Sequence, residues 1–118
     1  MKTFLAIYIG TASTRQKSGW DSLDEDERRA REQSGMNAWM EWGVTHEQAI
    51  VDQGGPVGKT KRVSPQGIAD VTNQMVGYVI VQAESHEAAA KMFENHPHFS
   101  IFPGESVEIM ERLPIPGM

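Results

Sequence analysis

The sequence predicts an α+β domain, a split βαβ antiparallel sheet carrying both of its helices on one face. Three observations point there. Two runs rich in β-branched and aromatic residues, 3–9 and 77–83, read as strands. Each precedes a capped helical segment, one opening at Ser22 and the other at Ser85. Shorter strand-like runs, 49–52 and 106–113, then close each unit. The 118 residues, 39% hydrophobic and 23% charged, have the size and composition of one folded domain, taken as 1–118.

Residues 3–9 are short, apolar and stopped by Gly10, which predicts a strand buried on both faces. Residues 11–19 are small, polar or basic and read as a loop, with Trp20 packed as a lid at its end. Ser22 and Glu25 fit a capping box, in which side-chain oxygens satisfy the unpaired N–H groups of a helix start. Acids at 24–27 suit the positive end of the helix dipole, and Arg28, Arg29 and Arg31 follow one turn later. Met36, Trp39, Met40 and Gly43 recur at helical spacing, predicting the stripe that packs on the sheet. Gly35 marks either close packing or a break in the helix, and Gly43 offers its stop. Thr45 and Gln48 suit one further short turn.

Residues 49–52 form the second strand, ended by Gly54, Gly55 and Pro56. Residues 61–63 and 68–71 flank Ser64-Pro65-Gln66-Gly67, which reads as the turn of an exposed hairpin or as an excursion from the sheet. The strand at 77–83 alternates Tyr78, Ile80 and Gln82 against Val79, Val81 and Ala83 and is assigned to the sheet's centre. The second helix presents Ala88, Ala89, Met92 and Phe93 and ends near Asn95 and Pro97. The last strand sets Val107, Ile109 and Leu113 against Glu108, Met110 and Arg112. This order is the ferredoxin-like arrangement. Its uncovered sheet face needs burial, which a second copy of the chain supplies, so a homodimer is expected.

A net charge of −5 argues against nucleic acid and anionic membranes, both of which require a basic face. The absence of cysteine removes disulfides, thiolate metal sites and cysteine nucleophiles. No stretch approaches a membrane span or a signal-peptide core, so a cytoplasmic location is the expectation.

The tryptophan-bearing first helix, Asp52-Gln53-Gly54-Gly55-Pro56-Val57-Gly58, Gly77-Tyr78-Val79-Ile80-Val81-Gln82-Ala83, Ser85 with Glu87-Ala88-Ala89, His96-Pro97 and Ser106-Val107-Glu108-Ile109 together resemble the YCII-related family. The resemblance covers most of the chain from Gly54 onward. It implies a dimeric α/β barrel with a pocket between sheet and helices. It also implies a kinship with small-molecule enzymes, including a dehalogenase-type branch. Some relatives pair a histidine of the first helix with an aspartate near the second strand. Here Ser34 and Asn37 stand in that helical region, so the histidine does not carry over, while Asp52 matches the acidic partner.

Gly54 to Thr60 imitates a phosphate-binding loop. The first glycine is displaced by one residue, with Gln53 in its place, and residues 61–65 cannot supply the required helix. His96 and His98 share a face if extended, yet no helical histidine pair supports a metal, and no metal or cofactor is expected. Asp52, in a half-buried strand, is either a proton-transfer group with a raised pKa or a cap for the following glycine turn. His46 reaches it only if the intervening segment folds back. The candidate catalytic residues are therefore Asp52, His96 and His46. Trp20, Asn37, Trp39, Met40 and His98 are the candidate walls of a pocket for a flat hydrophobic ligand. The function expected is acid–base chemistry on a small molecule, or else non-catalytic ligand binding by the same pocket.

Overall fold

The computed structural model describes residues 1–117. Strand β1 (Lys2–Ile9) leads to helix α1 (Ala12–Ser18), a 3-10 turn (Trp20–Ser22) and the long helix α2 (Glu25–Thr45). A second 3-10 turn (Glu47–Ala49) precedes β2 (Ile50–Pro56), the hairpin β3 (Thr60–Ser64) and β4 (Gly67–Val71), and β5 (Met75–Ala83). Helices α3 (His86–Lys91) and α4 (Pro97–Ser100) and strand β6 (Ser106–Glu111) complete the order. The main sheet runs β2-β5-β1-β6, with every neighbouring pair antiparallel. The two strands closest in sequence to the helices thus lie at its centre, which is the ferredoxin-like split βαβ topology.

Alternation along the central strands decides which face meets the helices. Phe4, Ala6 and Tyr8 of β1 and Val79, Val81 and Ala83 of β5 are buried, and together with Ala89 and Phe93 they form the core. Trp39 and Trp42 of α2 and Val107 and Ile109 of β6 pack against it. Trp42 ties the two helical segments together, its indole N–H donating to the Met92 carbonyl at 2.7 Å. The opposite set, Leu5, Ile7, Tyr78 and Ile80, is only half-buried, so β1 is not buried on both faces.

Four local expectations need correction. Residues 11–19 are not a loop: Thr11 accepts the Thr14 N–H, Gly19 closes the segment at φ 74°, and α1 stands between them. The cap of α2 is Asp24, whose carboxylate accepts the Glu27 N–H at 2.8 Å, because Ser22 is already used in the 3-10 turn. Helix α2 also runs unbroken through Gly35 and Gly43. Its packed stripe is Gly35, Trp39 and Trp42, while Met36 and Met40 face outward at 52% and 66% exposure.

Strand β2 extends past residue 52 as an irregular edge strand whose pairing with β5 shifts on both sides of Asp52. Gly54 makes this bulge feasible. It has φ 60°, and a Cβ there would lie 2.0 Å from the Tyr78 carbonyl oxygen. The hairpin β3–β4 pairs with itself in a separate two-stranded sheet, as an exposed hairpin should. Lys59 is followed by strand β3 and not by a helix, in keeping with the rejection of a phosphate-binding loop.

Candidate functional site

The chemistry-bearing side chains collect under α2 at one end of the sheet. Asn95 adopts φ 57°, a left-handed conformation asparagine tolerates, and turns the chain so that His96 and Pro97 enter the protein and start α4. His96 is fully buried and His98 nearly so. The aromatic rings around His96 are Trp39 at 4.6 Å between centroids, Trp42 at 4.8 Å, Tyr8 at 5.2 Å and Phe93, which stacks at 5.8 Å.

Hydrogen bonding fixes the imidazole tautomers. The His98 backbone N–H donates to His96 Nδ1 at 3.0 Å, so Nδ1 carries no proton and the neutral ring carries it on Nε2. That N–H points at the Tyr8 hydroxyl oxygen, 3.4 Å away and at the long end of a hydrogen bond. His98 Nε2 lies 2.8 Å from the Ile9 carbonyl, which can only accept, so His98 also holds its proton on Nε2. Burial pushes the His96 pKa down to about 4, with His98 and His46 adding in the same direction. Burial also lowers His98, opposed by its bond to Ile9. The Tyr8 phenol is pushed upward by burial and stays protonated. Its oxygen accepts from His96, and among the described residues nothing takes its own proton.

The eight residues proposed from sequence separate into groups. Trp39, His96 and His98 meet around Tyr8, with Trp39 half-buried and its ring 5.0 Å from the Tyr8 ring. His46 lies beside Trp42, which also packs on His96, and burial lowers the His46 pKa. Asp52 is exposed on β2, and its carboxylate accepts the Gly54 N–H at 2.8 Å, the local turn-capping geometry. Asn37 is exposed and bonded to Gln33, Met40 is exposed, and Trp20 is buried against Phe102. Asp52 therefore takes no part in the contacts that join His96, Trp42 and His46. Tyr8 is the residue sequence reasoning missed. Its position on the same face as Phe4 and Ala6 was the available signal.

A concavity of about 320 Å³ lies between α3 and β6 and is lined by Ala90, Phe93, Glu94, Phe99, Val107 and Ile109 among others. Phe93 alone is shared with the aromatic cluster, so the Tyr8 hydroxyl does not line this groove.

No protein-family model and no curated protein matches the sequence. Among solved structures, the chain is similar to the 5-chloro-2-hydroxyhydroquinone dehydrochlorinase of Burkholderia phenoliruptrix AC1100, solved in complex with 2,5-dihydroxybenzoquinone. The alignment covers 95% of this chain and 93% of that one, with a TM-score of 0.54 and 16% identity. The two chains share a fold. At that identity the likeness extends to architecture and leaves the chemistry to be argued from the side chains.

Proposed function

We propose that the protein is a YCII-like small-molecule enzyme that binds a flat, oxygen-bearing ring beside Trp39 and transfers protons through the Tyr8–His96 pair. The carrying observation is the Tyr8 hydroxyl, which accepts from His96 and has a proton left to give. A ligand oxygen reaching it receives a hydrogen bond or a proton, and the His96 N–H steadies the charge that then develops on the phenol oxygen. Burial keeps both groups neutral near pH 7, so the Tyr8 phenol acts as a hydrogen-bond donor, and it releases its proton only to a ligand oxygen that becomes strongly basic during the reaction. Trp39 supplies a stacking wall, and His98 anchors the segment that carries His96. The shared fold with a dehydrochlorinase solved with a dihydroxybenzoquinone supports this ligand class. In the same reading the protein is cytoplasmic and acts as a homodimer through the half-buried sheet face.

The probe is 2,5-dihydroxybenzoquinone, followed by quenching of tryptophan fluorescence, with chloride release from 5-chloro-2-hydroxyhydroquinone as the activity. Tyr8→Phe is expected to keep probe affinity within about threefold and to slow chloride release by about 10²-fold. A wild-type chain that neither binds the probe nor releases chloride defeats the reading. A second reading, non-catalytic ligand binding, draws on one observation: both His96 nitrogens are engaged and Asp52 is occupied by Gly54, so neither is a free base. Probe binding without turnover, indifferent to Tyr8→Phe at the chemical step, selects it.

A further inference from the structure

The groove between α3 and β6 lies apart from the Tyr8 hydroxyl, and its lining is of two kinds. Phe93, Val107 and Ile109 contribute apolar surface, and Phe99, 38% exposed, adds a second ring. Glu94 and Glu105 line the same groove. Neither carboxylate forms an ion pair among the described residues, and Lys91, three residues before Glu94, is paired with Glu87 at 3.8 Å. A volume of about 320 Å³ stands at the lower end of small-ligand sites, enough for one ring and a short chain.

Glu105 is held in place from two sides. Its backbone N–H donates to the Ile9 carbonyl at 2.9 Å, and the Gly104 N–H donates to the His98 carbonyl at 2.9 Å. Gly104 packs so closely that a Cβ there would lie 2.3 Å from the His98 ring, which seats the segment directly on a buried side chain. On the other side the Thr11 hydroxyl donates to the Thr14 hydroxyl at 2.9 Å, and Thr14 donates to Glu105 Oε1 at 3.2 Å. The donors in this chain are neutral. They orient the carboxylate and leave its charge, and its Oε2 oxygen, without a partner among the described residues. A protonated amine supplies both the charge and the N–H donors, and phenylalanine rings beside it add a cation–π attraction.

We propose that this groove binds a primary arylalkylammonium, its ring on Phe93, Phe99, Val107 and Ile109 and its ammonium donating to Glu105 and Glu94. The occupant is a small molecule and not an extended basic peptide added to the edge strand β6. The Arg112 N–H donates to the Thr3 carbonyl at 2.9 Å, so residues 108 and 110 bond to β1 and the Ile109 carbonyl turns to the free edge. His86 Nε2 donates to that carbonyl at 2.7 Å and so removes an acceptor that an added strand requires. The site shares only Phe93 with the aromatic cluster around His96 and stands whether or not the Tyr8–His96 pair is catalytic.

Phenethylammonium is the probe, followed by amide chemical shifts in a titration of the full chain. Saturable binding with a Kd of about 1 mM or tighter is expected, with shifts centred on residues 93–99 and 105–109. Glu94→Gln and Glu105→Gln should each weaken it about threefold, and the double variant about tenfold, with unchanged circular dichroism spectra. 2-Phenylethanol, the ring without the charge, and methylammonium, the charge without the ring, should each bind at least about tenfold more weakly. No saturation below about 10 mM overturns the proposal. Equal binding of 2-phenylethanol, or an affinity indifferent to the double variant, shows that the carboxylates do not select the ligand and overturns it as well. Equal binding of methylammonium reduces the site to a diffuse acidic surface. Tighter binding of the acetylated peptide Lys-Val-Lys-Val, with shifts along all of β6, assigns the edge to strand addition and overturns the small-molecule reading.

Discussion

His96 is held neutral by its position. Its ring is fully buried among Tyr8, Trp39, Trp42 and Phe93, and among the described residues no carboxylate pairs with its cation. In the folded chain it releases its proton at about 4, against about 6.5 for an unfolded histidine. Between those values the unfolded chain binds more protons than the folded one. The stability tied to this ring is therefore complete above about pH 6.5 and falls as pH drops toward 4. Lowering the pH from 7 to 5 should cost about 2 kcal/mol, with His98 and His46 acting in the same direction. Urea midpoints at the two pH values measure it, and His96→Gln should remove most of the slope. A wild-type midpoint that does not move would show that the ring gains solvent or a counter-charge. His96 and His98 were legible in the sequence because a proline between two histidines at a helix end is conspicuous. Tyr8 was not, since a tyrosine in an apolar strand has the signature of ordinary core. Asp52 offered two roles, and its carboxylate takes the turn-capping one, accepting the Gly54 N–H, a choice set by a local backbone geometry that its residue type leaves open.

At the scale of elements, legibility followed burial. Strand β5 alternates between two environments, and its pattern gave its end at Ala83 and its central place, while its start lies at Met75, two residues before the expected Gly77. Helix α1 has no buried residue, so it lacks an apolar period, and only its end signals, Thr11 and Gly19, betray it. Helix α2 was visible, but of its expected stripe only Trp39 packs on the core, joined by Gly35 and Trp42 in place of Met36, Met40 and Gly43. Tryptophans and methionines look alike to a hydrophobic pattern, and only Trp39 and Trp42 found the core. Gly35 resolves into close packing: a Cβ there would lie 2.5 Å from the Phe102 ring. That ring is itself held against Trp20 and Trp39, at 5.8 and 6.1 Å. Gly35→Ala should thus lose more by overpacking, about 1–3 kcal/mol, than the roughly 1 kcal/mol it gains in helix propensity. The expected result is a lower denaturant midpoint with an unchanged m value. A rise in stability would mean that Phe102 swings aside freely.

At the scale of the molecule, the sheet has one finished face and one unfinished face. Leu5 and Ile7 of β1 and Tyr78 and Ile80 of β5 form a contiguous half-buried patch, with Leu5 opposite Ile80 and Ile7 opposite Tyr78. Met110 extends it beside Leu5 on the edge strand β6, and Glu108, also on that edge, sits at its rim. No residue at the centre of the patch is charged, the composition expected of an interface core with a polar border. A standard interface buries about 800 Å² per partner, within reach of a four-stranded sheet face. At about 25 cal/mol per Å² of apolar area, its hydrophobic gain is large enough to offset the entropy of association. The wild-type chain should therefore sediment at twice 13.1 kDa at micromolar concentration. Ile80→Glu puts an unpaired carboxylate at the centre of the patch, where desolvation costs several kcal/mol, and should weaken the dimer more than 100-fold. The side chain points away from the helix-covered core, so the circular dichroism spectrum of the variant should remain that of the folded chain. A folded Ile80→Glu variant that still sediments as a dimer would place the contact elsewhere on the molecule, and a monomeric wild type would leave this face to another partner.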